Sequence, residues 1–273
     1  SDNPSFASLA ADRARTACDH NRDYASHFTY FDEKMKKSLE IRDFVIFNID
    51  NAMALGHIHA YYQPKISTAT GKLVGFEVLA RWIDPVLGFI SPADFIPVLE
   101  EFGLTYKLDM FIVEELARDY KRTFNMGFKE IPISFNLSRM DFIVGNPREE
   151  IKKLLEEHKI SMKYFQVEIT ESCVMTDPKK MKKEIELFRS SGFGVLMDDF
   201  GSGYSSLGTL REFEFDEIKI DMSFMRNFGE KSKAIISSIV AMAKELGGRT
   251  LCEGVETQEQ VDFLKEIGCE CIQ

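Results

Sequence analysis

No run of about 18 consecutive apolar residues occurs, the length a helix needs to cross a bilayer, and the first ten residues, SDNPSFASLA, carry no leader pattern. Cysteine is sparse: Cys18, Cys173, Cys252, Cys269 and Cys271 form no CxxC pair and sit mostly in apolar contexts, which fits reduced thiols and excludes a disulfide framework. The five histidines, His20, His27, His57, His59 and His158, show no HExxH spacing and no His-Asp dipeptide, so imidazole-based metal chemistry is disfavoured. There is no GxSxG for a serine nucleophile and no Walker lysine spacing. Nor is there a basic excess. With 34 basic and 44 acidic side chains the formal charge is -10, so long-range attraction to a nucleic-acid polymer or an anionic membrane is excluded as a driving force. An anionic substrate needs metal ions or local cations.

What remains is an ordinary globular composition, 44% apolar, 29% charged and 12% aromatic over 273 residues. That length matches the ~250 residues usual for a (β/α)8 barrel. From about residue 55, short β-branched or aromatic runs alternate with stretches of helical periodicity, the pattern of βα units around a parallel sheet. The spacing predicts eight strands, at 58–65, 73–80, 131–136, 165–169, 194–198, 217–220, 250–253 and 269–273. It predicts helices over 94–103, 105–124, 149–158, 179–190, 231–246 and 258–267, with Pro92, Pro147 and Pro178 at first-turn positions. Only the turn 67–72 separates the first two strands, too short for a parallel crossover, so the first pair is expected to be antiparallel. The fold class is therefore α/β, a TIM-like (β/α)8 barrel with an irregular first strand. The sequence stops at Gln273 inside the last predicted strand, so the barrel is expected to be truncated after strand eight. Ahead of it, 8–20 reads as helix, 27–31 as a short strand and 32–55 as one or two helices, too little for a domain.

A (β/α)8 barrel places its chemistry at the C-terminal ends of its strands, and acidic and amide side chains fall there repeatedly. Glu77 and Arg81 belong to strand two, Asn136 ends strand three, Glu168 with Glu171 beyond it marks strand four, and Asp198-Asp199 ends strand five. Lys219 and Asp221 follow on strand six, Glu253 and Glu256 on strand seven, and Gln273 on strand eight. A single such acid is usually a solvated loop residue or a helix cap, and Glu171 and Glu256 in particular suit the cap role. So many strand ends in concert point instead to one mouth. Several carboxylates confined together cannot all stay ionised without a cation. Oxygen-only ligands with no Cys or His select hard ions such as Mg2+, Mn2+ or Ca2+. Adjacent carboxylates at one strand end suit two metals ~3.5 to 4 Å apart, a spacing common in displacement at phosphorus, which points to phosphodiester hydrolysis. Lys219 alternates with Ile218 and Ile220, so it faces the barrel interior if those isoleucines pack under helices. The Gly201-Ser202-Gly203 run reads as a loop hinge.

The ordered blocks Tyr61-Tyr62-Gln63-Pro64, Glu77-Val78-Leu79-Ala80-Arg81-Trp82, Asn136-Leu137-Ser138, Glu168-Ile169-Thr170-Glu171-Ser172, Asp198 through Ser206, Lys219-Ile220-Asp221 and Glu253 through Thr257 resemble the EAL-domain family of bacterial cyclic-di-GMP phosphodiesterases. The resemblance covers roughly residues 55–273 and implies hydrolysis of cyclic di-GMP to linear pGpG with two divalent cations, Mg2+ or Mn2+. It implies Glu77, Asn136, Glu168 and Asp198 as ligands of the first metal and Asp198, Asp199 and Glu253 as ligands of the second, with Glu253 in the catalytic set. It further implies Lys219 as the residue orienting the attacking water. Gln63, Leu79, Arg81, Asp221, Glu256 and Gln273 match positions that contact nucleotide or support the site, and Glu171 matches the residue that steadies the loop 199–206. A homodimer is implied as well.

The chain departs from the family pattern at Val78, where alanine is usual, at Ser202 in place of threonine, and in stopping before the glycine and aromatic residue that follow Gln273 in the family. Val78 and that stop motivate a second reading, a catalytically silent cyclic-di-GMP receptor. Residues 10–32 are similar to the tail of a GGDEF domain, which divides the chain into 1–50, the tail of an upstream GGDEF-like domain with a linker helix, and 51–273, the EAL domain. The GGDEF signature itself is absent, so cyclase activity is not expected. Upstream GGDEF or sensor domains are expected as partners, and the location as cytoplasmic, either free or as the cytoplasmic part of a membrane-anchored protein.

Overall fold

The computed structural model of the chain describes residues 11, 13–15, 18, 30, 32–201 and 207–273. The chain divides into two compact units, Ile58–Arg81 with Gly103–Gln273, and Ser1–His57 with Trp82–Phe102. Its strands are β1 (Ile58–Ser67), β2 (Leu73–Asp84), β3 (Gly88–Ile90), β4 (Ile133–Asn136), β5 (Phe165–Thr170), β6 (Gly194–Phe200), β7 (Glu217–Ile220), β8 (Arg249–Cys252) and β9 (Cys271–Ile272). They lie in the order β1-β9-β8-β7-β6-β5-β4-β2-β3, and pairing of β1 with β2 closes the first eight of them into a barrel.

From β2 through β9, β3 apart, neighbours run parallel, and β1 alone runs the other way, against β9. The expected irregular barrel is thus present. The β1–β2 turn is closed by Ser67 N–H donating to Lys72 O at 2.9 Å, with Gly71 at φ +64.

The helices are α1 (Glu33–Ala54), α2 (Pro92–Glu101), α3 (Thr105–Asn125), α4 (Arg139–Val144), α5 (Pro147–His158), α6 (Glu171–Thr176), α7 (Pro178–Ser190), α8 (Leu207–Glu212), α9 (Ser223–Arg226), α10 (Glu230–Glu245) and α11 (Gln258–Glu266). Pro92, Pro147 and Pro178 occupy first turns behind the N-caps Ser91, Asn146 and Asp177, each of whose side chains accepts a backbone N–H. The strand β3 and the short helices α4, α6, α8 and α9 are additions to the sequence expectation, and residues 33–54 form a single helix. Of the helix expected over 8–20, Ala11, residues 13–15 and Cys18 are helical; the rest of it, most of the strand expected at 27–31 and the hinge residues 202–206 lie outside the described residues.

Strand alternation sorts the larger unit's side chains. Val167, Ile169, Val195, Met197, Ile218 and Ile220 point outward and are all buried, as are Leu155, Ile185, Phe188 and Ile236 on helices of the same unit. Each such burial is worth ~1.5 to 3 kcal/mol, enough in sum to hold the strands in register. The inward face is different: Lys65, Glu77, Glu168, Glu217 and Lys219 are all buried there. A barrel interior is usually filled by branched apolar side chains, so this one trades part of its core for charge.

In the smaller unit α1 lies on α2, and Trp82, with no exposure, meets Phe44 and Phe95 at ring-centroid distances of 5.8 and 5.7 Å. The end of β2 pairs with β3 through Ile83 and Phe89, and Asp84 folds the turn by accepting from Val86 and Leu87 N–H at 2.8 and 2.9 Å.

Candidate active site

The side chains predicted from strand ends meet around one ammonium group. Lys219, 1% exposed, places Nζ 2.5 Å from Glu168 Oε2, 2.9 Å from Asp198 Oδ1, 2.9 Å from Glu253 Oε1 and 3.1 Å from Glu77 Oε2. Four strands, or the residue just past one, supply these carboxylates. The buried Ile218 and Ile220 on either side of Lys219 take the outward face, which is what sends the lysine in. Glu77 is tied further by Asn136 Nδ2, donating to Oε1 at 3.0 Å, and by Gln273 Nε2, donating to Oε2 at 2.6 Å.

Asp199 needs a backbone device to join the cluster. In a regular strand it faces away from Asp198. Here the β6–β7 register shifts between Met197 and Phe200, and Asp199 takes φ +56, a left-handed conformation that aspartate tolerates better than most residues. The result is that one carboxylate oxygen each from Asp198, Asp199 and Glu253 all lie within 4.8 Å of one another.

The electrostatics follow from too many acids for the cations present. Burial alone would raise Glu168, but the ammonium groups of Lys219 and Lys65 outweigh it and hold its carboxyl down to about 2. Burial also works against charge on Lys219, and Glu168, Glu77, Asp198 and Glu253 together keep it protonated well beyond the ordinary lysine range. The other acids go the opposite way. Burial, followed by the neighbouring Glu168, raises Glu77; burial, with Glu168 and Asp199, raises Asp198; burial, with Asp221, raises Asp199. Burial pushes Glu253 up to about 7, Asp198 and Glu77 adding to the rise and Lys219 opposing it.

The donor set fits hard divalent cations: five carboxylates and one amide on or next to five strands, with the Asp198–Asp199–Glu253 trio already gathered. Asp198 Oδ1 is buried in ion-pair contact with Lys219 but outside hydrogen-bond geometry, leaving it able to accept another cation. A half-turn of the Asn136 amide exchanges its donor for an acceptor and lets it join Glu77 in holding such an ion.

The remaining predicted residues are placed as follows. Asp221 Oδ1 accepts from Ser223 N–H at 2.9 Å at the start of α9. Gln63 and Glu256 are exposed, Leu79 and Arg81 half-buried, and Arg81 Nη1 donates to Ala80 O at 2.9 Å. Glu171 is buried in the first turn of α6. The cap roles considered for Glu171 and Glu256 belong instead to their neighbours, Thr170, which accepts from Cys173 N–H, and Thr257, which forms a capping box with Gln260. Val78 is 3% exposed and, as the strand neighbour of Glu77, faces the opposite side of β2, so its extra methyl groups do not crowd the carboxylates. Sequence reading missed the buried Lys65, whose Nζ lies 2.8 Å from Glu168 Oε1. The available signal was its position two residues past Gln63, on the same strand face.

Comparison with known proteins gives the same family. The family described as EAL domain matches residues 48–273. The bifunctional diguanylate cyclase/cyclic di-GMP phosphodiesterase MucR of Pseudomonas aeruginosa is 30% identical over 263 residues, 95% of this chain and 38% of that protein. The cyclic di-GMP phosphodiesterase RocR of the same organism is 37% identical over 231 residues, 84% of this chain and 58% of that protein. The chain thus spans less than two thirds of either relative. A solved structure of the PaMucR phosphodiesterase in complex with c-di-GMP matches with a TM-score of 0.79 and 31% identity, covering 84% of this chain and 94% of that one.

Proposed function

Because this chain belongs to the EAL domain family, we propose that its barrel hydrolyses one phosphodiester of cyclic di-GMP, releasing linear pGpG, with two divalent cations, Mg2+ or Mn2+. The observation that carries the proposal is the convergence of Glu77, Glu168, Asp198 and Glu253 on the Lys219 ammonium within 2.5 to 3.1 Å. Glu77, Asn136, Glu168 and Asp198 are assigned to one cation, and Asp198, Asp199 and Glu253 to the other. When bound, such ions lower the pKa of water and neutralise charge developing on the phosphate.

The chain's own groups do the rest. Lys219 holds a permanent proton on Nζ and offers it as a hydrogen-bond donor, orienting the attacking water and keeping four carboxylates fixed before substrate arrives. Glu253 lies in that contact set with its carboxyl near neutrality, about 7, before a cation arrives, so taking its place as a ligand requires it to give up a proton. Gln63, Leu79, Arg81, Asp221, Glu256 and Gln273 are assigned to the nucleotide or to support of the site. Gln273 also anchors Glu77. Glu171 is assigned to steadying the loop that follows Asp199.

The test is incubation of the chain, and of a longer chain that continues past Gln273, with cyclic di-GMP and Mn2+, followed by chromatography for pGpG. Glu77→Ala and Asp198→Ala should abolish turnover with the fold intact. Metal uptake without product from the longer chain overturns the proposal in favour of a cyclic-di-GMP receptor. Assembly as a homodimer, upstream GGDEF or sensor domains in the same protein and a cytoplasmic location belong to the same proposal. No helix among the described residues is long and apolar enough to cross a membrane.

A further inference from the structure

A second charged layer lies beside the first, on the one strand that runs against the rest. Lys65 on β1 is 3% exposed; its Nζ donates to Glu168 Oε1 at 2.8 Å and lies 3.8 Å from Glu217 Oε1, while Arg249 lies 3.5 Å from Glu217 Oε2. Glu217 is also 3% exposed. Glu168 is therefore gripped at both oxygens, Oε1 by Lys65 and Oε2 by Lys219 at 2.5 Å.

The lysine stem runs alongside Gly75 of the neighbouring strand. A Cβ on Gly75 of β2 would stand 3.6 Å from Lys65 Cδ, 3.8 Å from Lys65 Cβ and 3.2 Å from Pro132 O. The glycine has no positive φ to justify it; the tight approach is to the Pro132 carbonyl, while the lysine stem lies at ordinary contact distance.

We propose that Lys65 is a positioning residue for the reaction: it holds Glu168 Oε1 against the barrel wall, so that Glu168 presents only Oε2 to a cation at the mouth. The proposal rests on the metal site assigned above. Glu217, itself paired with Arg249, is a second acid beside the Lys65 ammonium, at 3.8 Å. A carboxylate free to swing would offer either oxygen or both, and the geometry it shares with Glu77 and Asp198 would be lost.

The sign of the effect separates positioning from simple charge. If Lys65 were only a nearby positive charge, its removal would strengthen cation binding, because like charges repel. Positioning requires the reverse. Mn2+ binding is measured by calorimetry for the parent, Lys65→Met, Glu168→Gln and the double variant. Lys65→Met is expected to weaken binding by about 10- to 100-fold, the usual effect of losing a group that orients a metal ligand. In the Glu168→Gln background the same change should alter affinity by less than about threefold, since the group it acts on is gone. Lys65→Gln, which keeps a donor for Oε1, should recover part of the loss and replaces Lys65→Met if that variant does not fold. Unchanged or tighter Mn2+ binding on loss of Lys65, or an equal loss in both backgrounds, overturns the proposal while leaving the metal site standing. A parent chain that takes up no Mn2+ overturns the metal site itself, and the role of Lys65 with it.

Discussion

Replacing Lys219 with methionine removes the cation that four carboxylates share and leaves a side chain of similar length. In the metal-free protein this breaks contacts of 2.5, 2.9, 2.9 and 3.1 Å in a largely buried setting. Breaking a buried pair by removing one partner costs ~3 to 5 kcal/mol, because the other charge is left uncompensated. The carboxyls have an escape, which is to take up protons, so the loss depends on pH. Their folded pKa values, already raised for Glu77, Asp198 and Glu253 with the lysine present, rise further without it. A carboxyl raised above its unfolded value contributes stability that is fully present below the unfolded value and is lost as pH rises through the folded one. Each proton so held makes the variant ~1.4 kcal/mol less stable per pH unit across that window. The assay is urea unfolding of parent and variant at pH 6 and pH 8, each with chelator and with saturating Mn2+. The variant should lose several kcal/mol at pH 8 with chelator, distinctly less at pH 6, and least with Mn2+, which restores positive charge among the acids. With Mn2+ it should still hydrolyse cyclic di-GMP about 100-fold or more slowly, the usual scale for losing one preorganised hydrogen-bond donor of an active site. A variant as stable as the parent at pH 8 without metal, or one whose loss is the same at both pH values and unmoved by Mn2+, would refute the reasoning.

Three further outcomes are expected. Uptake of Mn2+ by the parent should release protons below pH 7 and weaken as pH falls from 7 to 5, because Glu253, raised to about 7, must shed its proton to bind; calorimetry in buffers of different ionisation enthalpy reads this, and a proton count of zero at pH 6 counts against it. Gly254→Ala should cost ~1 to 3 kcal/mol and lower activity, since Gly254 holds φ +67 and a Cβ there would stand 2.7 Å from Met222 Cβ, pushing on the residue that follows Glu253; an unchanged melting temperature contradicts it. Trp82→Ala should cost ~3 to 5 kcal/mol by emptying the space between Phe44 and Phe95, visible as a lower unfolding midpoint, whereas a shift below about 1 kcal/mol would deny Trp82 its place in that core.

The barrel was legible because its strands are short apolar runs at regular spacing, and periodicity reports burial. Bounds slipped where a different force set them: β2 runs on to Asp84 because its end pairs with β3, and β3, three residues in a hairpin, is too short to show a period. Helices α4 and α6 are six residues each, under two turns, so they offer no stripe to count. The acids of the mouth were legible because strand-end position and residue type coincide. Lys65 was not: it ends the predicted strand 58–65, but the strand-end reading followed acidic and amide side chains, and the reversed direction of β1 carries that end away from the mouth. Closure of the barrel followed from the count of eight strands, but its joint was hidden, since β9 has two residues and meets β1 through Ile66 with Ile272 and Ser67 with Cys271.

The kink at Asp199 has a bearing on how this protein can vary. Because the left-handed turn, not the carboxylate alone, brings that side chain round, the seat proposed for the second cation is written into the main chain. Asparagine at 199 preserves the bend and discards the charge; valine or isoleucine, hostile to positive φ, discards both. Exchanges there therefore divide into those that mute one ion and those that unmake its berth, while Glu77, Asn136 and Glu168, on regular strands, leave the other ion's holders in place.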